Sequence, residues 1–365
     1  MTTPNSASLL LSKAQLGKLT LKNRVVMAPL TRSRATADHI PTDLMVTYYA
    51  QRASAGLIIT EGTSPSKNGV GYARIPGLYN DAQIEGWRKV TDAVHSRDGR
   101  IFVQLMHTGR ISHVANLGAG AEVIAPSAIK AAGEMFTDAF GMKEFPTPRE
   151  MTAFEIEEAI EEYVQAAQNA IKAGFDGVEL HAANGYLIEQ FIRPTTNHRK
   201  DAYGGSIEGR AKFLLKIAVR AGEAIGFDRL GVRISPYGVF NDMPVYPEMT
   251  EDYLYIAREL SRLGIVYLHV LDHSSVGAPP VPEEFKIALR ETFRGSIISA
   301  GGYDDQTGEK DLRDGKAQFI AYGRPFISNP DLADRFRDGK ALSPPDFATF
   351  YTPGEKGYID YPKVS

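Results

Sequence analysis

Eight short apolar runs, separated by amphipathic stretches, set what this chain can fold into. They fall at Arg24 to Ala28, Leu57 to Glu61, Ile101 to Leu105, Gly177 to His181, Leu230 to Ile234, Val266 to Val270, Ser296 to Ala300 and Ala317 to Ala321. Each gap is long enough for a crossover helix, the connection that parallel neighbouring strands require. Eight strand-helix repeats predict an α/β fold closed into a (β/α)8 TIM barrel. A hairpin is expected ahead of it, over residues 8–22. No shift of composition marks a boundary, so residues 1–365 are expected to form a single barrel domain.

The helices announce themselves through their ends. Thr152 and Glu155 form a capping box, and Ile156, Ala159, Ile160, Tyr163, Ala166, Ala167, Ala170 and Ile171 follow at helical spacing until Gly174. Ile207, Ala211, Leu214, Leu215, Ala218, Ala221 and Ile225 mark another face, stopped by Gly226. A third helix, from Thr250, carries Glu251 and Asp252 in its first turn, where they complement the dipole. The pairs Glu157-Glu158 and Glu161-Glu162 read as a solvated helix face.

An open doubly wound sheet also alternates strand and helix, but it needs a switch-point site early in the chain. The one glycine cluster resembling a dinucleotide fingerprint, Gly118-Ala-Gly120-Ala-Glu-Val123, lacks the third glycine and lies among loop residues. The longest break in the rhythm runs from Thr108 to Met151, after the third strand. A loop insertion of that length is expected to cover the barrel mouth.

In such a barrel the carboxyl ends of the strands build the site, and phosphate docks beside strands seven and eight. Those ends read Ala28-Pro-Leu-Thr31, Thr60-Glu-Gly62, Gln104-Leu-Met-His107, His181-Ala-Ala-Asn184-Gly-Tyr186, Arg233-Ile-Ser235, Ala300-Gly-Gly302 and Tyr322-Gly-Arg324. Glycines let backbone N–H groups approach a phosphate, and a guanidinium clamps it. A phosphate cradle at Gly301, Gly302, Gly323 and Arg324, with Thr31, Gln104 and Arg233 elsewhere on the rim, suits a flat phosphorylated cofactor across the mouth. His181, Asn184 and Tyr186 stand over it with three different hydrogen-bonding chemistries.

Charge and cysteine content exclude other chemistries. A formal charge of −3 gives no basic field for a polyanion, so no nucleic acid partner is expected. With no cysteine there is no disulfide, thiolate nucleophile, Cys-ligated zinc or ordinary iron-sulfur cluster, and no metal site is expected. The longest apolar stretch, Leu263 to Leu271, falls well short of the roughly 20 residues of a membrane helix. The amino terminus lacks a basic segment and its Leu9-Leu10-Leu11 run is short, so a cytoplasmic protein is expected. Monomer and homodimer both stay open.

Several long motifs in fixed order resemble the Old Yellow Enzyme family of FMN-dependent ene-reductases, in its classical branch. They are Met27-Ala-Pro-Leu-Thr31, Tyr49-Ala-Gln-Arg-Ala53, Gln104-Leu-Met-His-Thr-Gly-Arg110, His181-Ala-Ala-Asn-Gly-Tyr186, Asp201-Ala-Tyr-Gly-Gly205 and Tyr322-Gly-Arg-Pro-Phe-Ile-Ser-Asn-Pro-Asp331. The resemblance implies noncovalent FMN, with NADPH or NADH as hydride donor and activated alkenes as substrates: enones, enals, maleimides and nitro compounds. It implies that Pro29, Leu30, Thr31, Gly62, Gln104 and Arg233 hold the flavin ring, Arg233 near N1 and O2, while Gly301, Gly302, Gly323 and Arg324 hold the phosphate. His181 and Asn184 would bind the substrate oxygen and Tyr186 would protonate the α carbon, with Tyr72, Met106 and Tyr351 lining the pocket.

The chain departs from the family pattern in places. Met106 stands where Trp is common, which bears on substrate pose; Asn184 stands where some members have a second His; Gly209 stands where Asn is usual, which bears on helix packing. Thr31 occupies a position where a thermophilic-type branch places Cys. Taken alone, His181 reads as a structural histidine, Arg324 as a helix cap, and Gln104 and Thr31 as turn residues. Only their joint placement at strand ends turns them into a site. Two other functions fit parts of the pattern: a phosphate-binding barrel lyase or isomerase, with Glu179 or Glu61 as base, and a noncatalytic flavin-binding protein.

Overall fold

The computed structural model describes residues 8–363. The chain opens with an antiparallel hairpin, β1 (Ala14–Leu16) and β2 (Leu19–Leu21). Three parallel strands follow, β3 (Val25–Met27), β4 (Leu57–Thr63) and β5 (Ile101–Leu105), joined through helices α1 (Asp43–Gln51) and α2 (Asp81–His95). Beyond β5 the chain leaves the barrel. There β6 (Ile124–Ala125) pairs with β9 (Arg149–Glu150), and β7 (Glu134–Thr137) forms a hairpin with β8 (Gly141–Glu144).

The rhythm resumes with α3 (Ala153–Lys172), β10 (Gly177–Ala182), α4 (Leu187–Ile192), α5 (Ile207–Ile225), β11 (Leu230–Ile234), α6 (Met249–Leu263) and β12 (Tyr267–Leu271). It ends with α7 (Glu283–Thr292), β13 (Ser296–Ala300), α8 (Asp305–Arg313), β14 (Phe319–Tyr322), α9 (Arg324–Ser328) and α10 (Leu332–Asp338). Strands β3, β4, β5 and β10 to β14 close into an eight-stranded barrel, with β14 paired to β3. This is the (β/α)8 architecture that the eight apolar runs require.

Side-chain alternation divides the apolar residues into two layers. Val26, Ile59, Phe102, Tyr267, Ile298 and Phe319 pack together with Leu16 and Leu21 of the hairpin. Both hairpin leucines are fully buried, so the hairpin joins the barrel's own core, and Leu16→Ala would cost about 2–5 kcal/mol. The second layer lies between strands and helices, where α3 contributes Ile156, Ala159, Ile160, Tyr163, Ala166, Ala167 and Ala170 behind its Thr152–Glu155 capping box.

The differences from the sequence reading are local. Strand β4 extends to Thr63 across a register irregularity between Ile59 and Gly62. The segment after β5 holds two small sheets, because its strands find partners within the insertion itself. The acidic stripe of α3 is not simply solvated: Glu157 takes the Lys216 ammonium at 2.5 Å and Glu161 pairs with Arg220, tying α3 to α5. Gly209 packs on the Gly204 carbonyl, which an added Cβ would approach to 2.2 Å, so the Asn usual there has no room. No helix among the described residues is long and apolar enough to cross a membrane.

Candidate active site

A cleft of about 1100 Å³ lies over the carboxyl ends of the strands. Its wall includes Pro29, Leu30, Thr31, Gly62, Gln104, Met106, His181, Asn184, Tyr186, Arg233 and Arg324, together with Tyr72 and Tyr351. Strand-end residues up to 295 positions apart along the chain, Pro29 and Arg324, therefore face one space, as strand ends of a closed barrel must. Gly301, Gly302 and Gly323 are not part of this wall; they follow β13 and β14, beside Arg324.

His181 and Arg233 are directly opposed across β10 and β11, and both are buried. The His181 Nδ1 accepts the Ala183 N–H at 3.3 Å, which leaves Nε2–H as the donor of the neutral ring. Burial, reinforced by the charge of Arg233, holds His181 well below the usual histidine range, so the neutral ring is the form present near pH 7. After β10 the chain turns through Asn184 and Gly185, both left-handed at φ +60° and +75°. Ser235 Oγ accepts the Asn184 N–H at 2.9 Å, and Glu189 Oε2 accepts the Gly185 N–H at 2.7 Å. Glu189 is in turn fixed by a fully buried ion pair with Arg193 at 2.7 Å. This scaffold holds a strained turn, and Asn184 Oδ1 is buried without a partner.

Tyr186 stands at the residue before α4, its phenol 3.1 Å from that of Tyr72 and its ring edge-on to His181 at 4.9 Å. Burial, then the neighbouring Tyr72, raises its pKa well above 10, so the phenol keeps its proton until a strong base forms beside it. Asn241 joins this group, donating to the Asn184 carbonyl at 2.8 Å. It is one of two successive left-handed residues, with Asp242, and is absent from the sequence-predicted site. The only signal was an Asn-Asp pair, the residue types that tolerate this conformation.

The outer wall comes from distant segments. Met135, Phe136 and Met142 of the β7–β8 hairpin line one side, Phe240 another, and Phe347, Phe350 and Tyr351 a third. The insertion after β5 thus reaches the mouth, as expected. Arg74 ties two of these parts to the segment after β3: it donates to the Ser33 carbonyl at 3.1 Å and the Tyr351 carbonyl at 3.0 Å, and pairs with Asp138 at the hairpin tip. Met106 is buried against Gly62, where an added Cβ would lie 2.5 Å from its sulfur. Glu61 and Glu179, the two carboxylates that the sequence offers as a lyase's base, are fully buried and neither lines the cleft.

The family model described as NADH:flavin oxidoreductase / NADH oxidase matches residues 11–343. This chain belongs to the Old Yellow Enzyme family. It is 40% identical over 365 residues to a probable flavin mononucleotide-dependent alkene reductase of Leishmania infantum, covering 98% of each chain. Among solved structures, morphinone reductase superposes with a TM-score of 0.94 at 44% identity, over 99% of this chain and 98% of that one. The Old Yellow Enzyme homologue from Zymomonas mobilis gives 0.94 at 41%, over 97% and 99%. A further morphinone reductase structure is a complex with tetrahydroNAD.

The FMN of an Old Yellow Enzyme fits the residues present. Among the described residues, Arg233 Nε is buried without a hydrogen-bond partner, and the exposed Arg324 side chain has no hydrogen bond or ion pair. Gly301 sits at φ +140°, where an added Cβ would lie 2.4 Å from the Asp272 carbonyl oxygen; Gly302 sits at +75°. Side chains are thus kept out where a phosphate needs backbone N–H groups. The cleft volume exceeds what one flavin ring fills, leaving space above it for coenzyme or substrate.

Proposed function

We propose that this cleft reduces activated carbon-carbon double bonds, those of α,β-unsaturated carbonyls, maleimides and nitroalkenes, at the expense of NADPH or NADH. Bound FMN would supply the redox chemistry, linking hydride donation by the nicotinamide coenzyme to hydride addition at the β carbon of the alkene. Pro29, Leu30, Thr31, Gly62, Gln104 and Arg233 would hold the ring; Gly301, Gly302, Gly323 and Arg324 would take the phosphate. The observation that carries the reading is the convergence of His181 Nε2–H, the Asn184 side chain and the Tyr186 phenol on one wall.

The neutral His181 ring and the Asn184 amide donate to a carbonyl or nitro oxygen, drawing electron density from the β carbon. Their turn is already locked by Ser235 and Glu189, so little reorganisation accompanies the reaction. Tyr186 gives its proton to the α carbon, and the balance closes with one hydride and one proton added to the alkene. The Tyr72 phenol orients that of Tyr186 through their hydrogen bond. A noncatalytic flavin store has no use for this donor set.

The whole chain acts as one such domain in this reading, a cytoplasmic monomer or homodimer with small-molecule partners only. The test is spectroscopic. Purified protein should be yellow or become so with FMN; anaerobic NADPH or NADH should bleach it, and 2-cyclohexenone should restore the colour. Protein that neither carries nor takes up FMN would overturn the proposal, and a flavin that no activated alkene reoxidises would leave only storage.

A further inference from the structure

Glu179 is a fully buried carboxylate that the proposed reaction does not use. It faces the barrel interior on β10, two residues before His181 and therefore one layer beneath it. Gln104 is its direct neighbour across the β5–β10 pairing, and the Gln104 Nε2 donates to Glu179 Oε1 at 2.7 Å. On the other side, the His269 ring contacts Glu179 Oε2 through Nδ1 at 2.9 Å. In the layer above, His181, Arg233 and His269 are successive partners across β10, β11 and β12.

Two consequences follow from this placement. An amide has one oxygen and one nitrogen end, so tying the Gln104 nitrogen to a carboxylate leaves its carbonyl oxygen as the end available to the cleft. Arg233, meanwhile, has a negative charge in the barrel beneath it. Burial alone would push the Glu179 pKa up, but His269, Arg233 and the Gln104 amide together bring it below the usual carboxylate range, so the charge is present. Burial likewise lowers Arg233, and Glu179 is the first group to oppose that.

We infer that Glu179 is a positioning residue of the flavin site, orienting the Gln104 amide and partly screening Arg233, so that its charge lowers the reduction potential of bound FMN. The inference rests on the flavin reading above. Arg233 at the ring favours an anionic reduced flavin, and an anion beneath Arg233 weakens that preference.

Glu179→Gln removes the charge at nearly constant shape, and a glutamine can still accept from Gln104 and donate to His269. Its reduction potential, read by equilibration of the FMN-loaded protein with a reference dye, should rise. The expected shift is about tenfold in the equilibrium constant, about 30 mV for a two-electron couple. In an Arg233→Gln background the same substitution should move the potential at most about twofold. A potential unchanged by Glu179→Gln in otherwise wild-type FMN-loaded protein would overturn the inference, as would an equal shift in both backgrounds. Should Glu179→Gln not yield folded protein, Glu179→Asp replaces it. That variant keeps the charge but withdraws it from Gln104, so FMN should bind about tenfold more weakly at a potential within about twofold of wild type. Unaltered binding or a displaced potential would overturn the inference. Wild-type protein that fails to bind FMN contradicts the flavin reading instead.

Discussion

The Tyr186 phenol donates to the Tyr72 phenol at 3.1 Å, although the two residues lie 114 positions apart. The contact makes Tyr72 the resting acceptor of the proton, which the rotating Tyr186 hydroxyl must turn toward the α carbon, and fixes the position of the Tyr186 oxygen. Tyr186→Phe removes the proton source but none of the donors to the substrate oxygen. It should slow alkene reduction by about 100-fold, within the range for general acids, while leaving reduction of the flavin by the nicotinamide within about threefold. Rapid mixing of each half-reaction separates the two; equal losses would contradict a proton-donor role. Tyr72→Phe should cost less, because it removes an orienting group only.

His181 and Asn184 should matter through binding and polarisation together. Replacing either with Ala should lower kcat/KM for an enone by about 100-fold, the scale of losing one donor to a developing oxyanion. Because burial keeps the His181 pKa well below 6.5, binding of a neutral carbonyl inhibitor should be flat from pH 6 to 9. A titration of affinity near pH 6.5 would show that the ring is not held neutral.

At the phosphate end, Gly301→Ala must relieve both a backbone at φ +140° and a 2.4 Å approach to the Asp272 carbonyl. FMN affinity should fall by at least about tenfold. Arg324→Ala should weaken it by roughly 10- to 100-fold, the value of one or two charge-assisted hydrogen bonds. Fluorescence titration of apoprotein with FMN reads both; unchanged affinity would place the phosphate elsewhere.

Glu61 gives the stability a distinctive pH dependence. Burial, opposed by hydrogen bonds from the Arg32 N–H at 3.3 Å and the Tyr49 phenol at 3.1 Å, raises its pKa to about 7. The unfolded chain ionises near 4.5 while the native state keeps the proton, so stability is lost as pH rises from about 4.5 to 7. This amounts to about 3 kcal/mol. His107 acts in the opposite sense: burial lowers it to about 3, so stability falls as pH drops below 6.5. Urea unfolding at pH 5 and pH 8 should show Glu61→Gln gaining about 2.5 kcal/mol at the higher pH relative to wild type. An identical pH difference in both proteins would rule out a buried, protonated Glu61.

The carboxyl-terminal wall of the cleft hangs on Arg34. Its guanidinium donates to the carbonyls of Arg32 at 2.6 Å, Phe350 at 2.7 Å, Thr349 at 2.8 Å and Lys356 at 3.2 Å. Arg34→Ala removes one donor from each of those carbonyls, of which Phe350 keeps the Arg32 Nε at 3.1 Å, and should accelerate amide exchange over residues 349–357 while raising KM for bulky alkenes about fivefold with little change in flavin binding. Unchanged exchange there would show that the segment holds itself.

The barrel was legible because its signal is local. Ile101–Leu105, Leu230–Ile234 and Ser296–Ala300 keep their sequence-read boundaries, since a buried parallel strand must be a short apolar run between helix caps. Thr31, Gln104, His181, Arg233 and Arg324 could be placed on one cleft because the closed fold brings every strand end to the same face. The β7–β8 hairpin, Asn241, Arg74 and Arg34 were not legible. Each works through partners such as Asp138, the Asn184 carbonyl or the Phe350 carbonyl, whose proximity no local pattern encodes.

Sequence by itself determined the eightfold alternation, the glycines at positions 301 and 302 and the kinds of side chain at each strand end. Backbone preference and hydrophobic period act within a few residues, so they are written locally. Tertiary structure alone decided which way those side chains face and in what protonation state. It made His181 a neutral donor through Ala183 and burial, turned Tyr186 toward Tyr72, and set Glu179 beneath Arg233 rather than in the cleft. Orientation and charge depend on what lies within a few ångströms in space, and that is fixed only once the barrel closes.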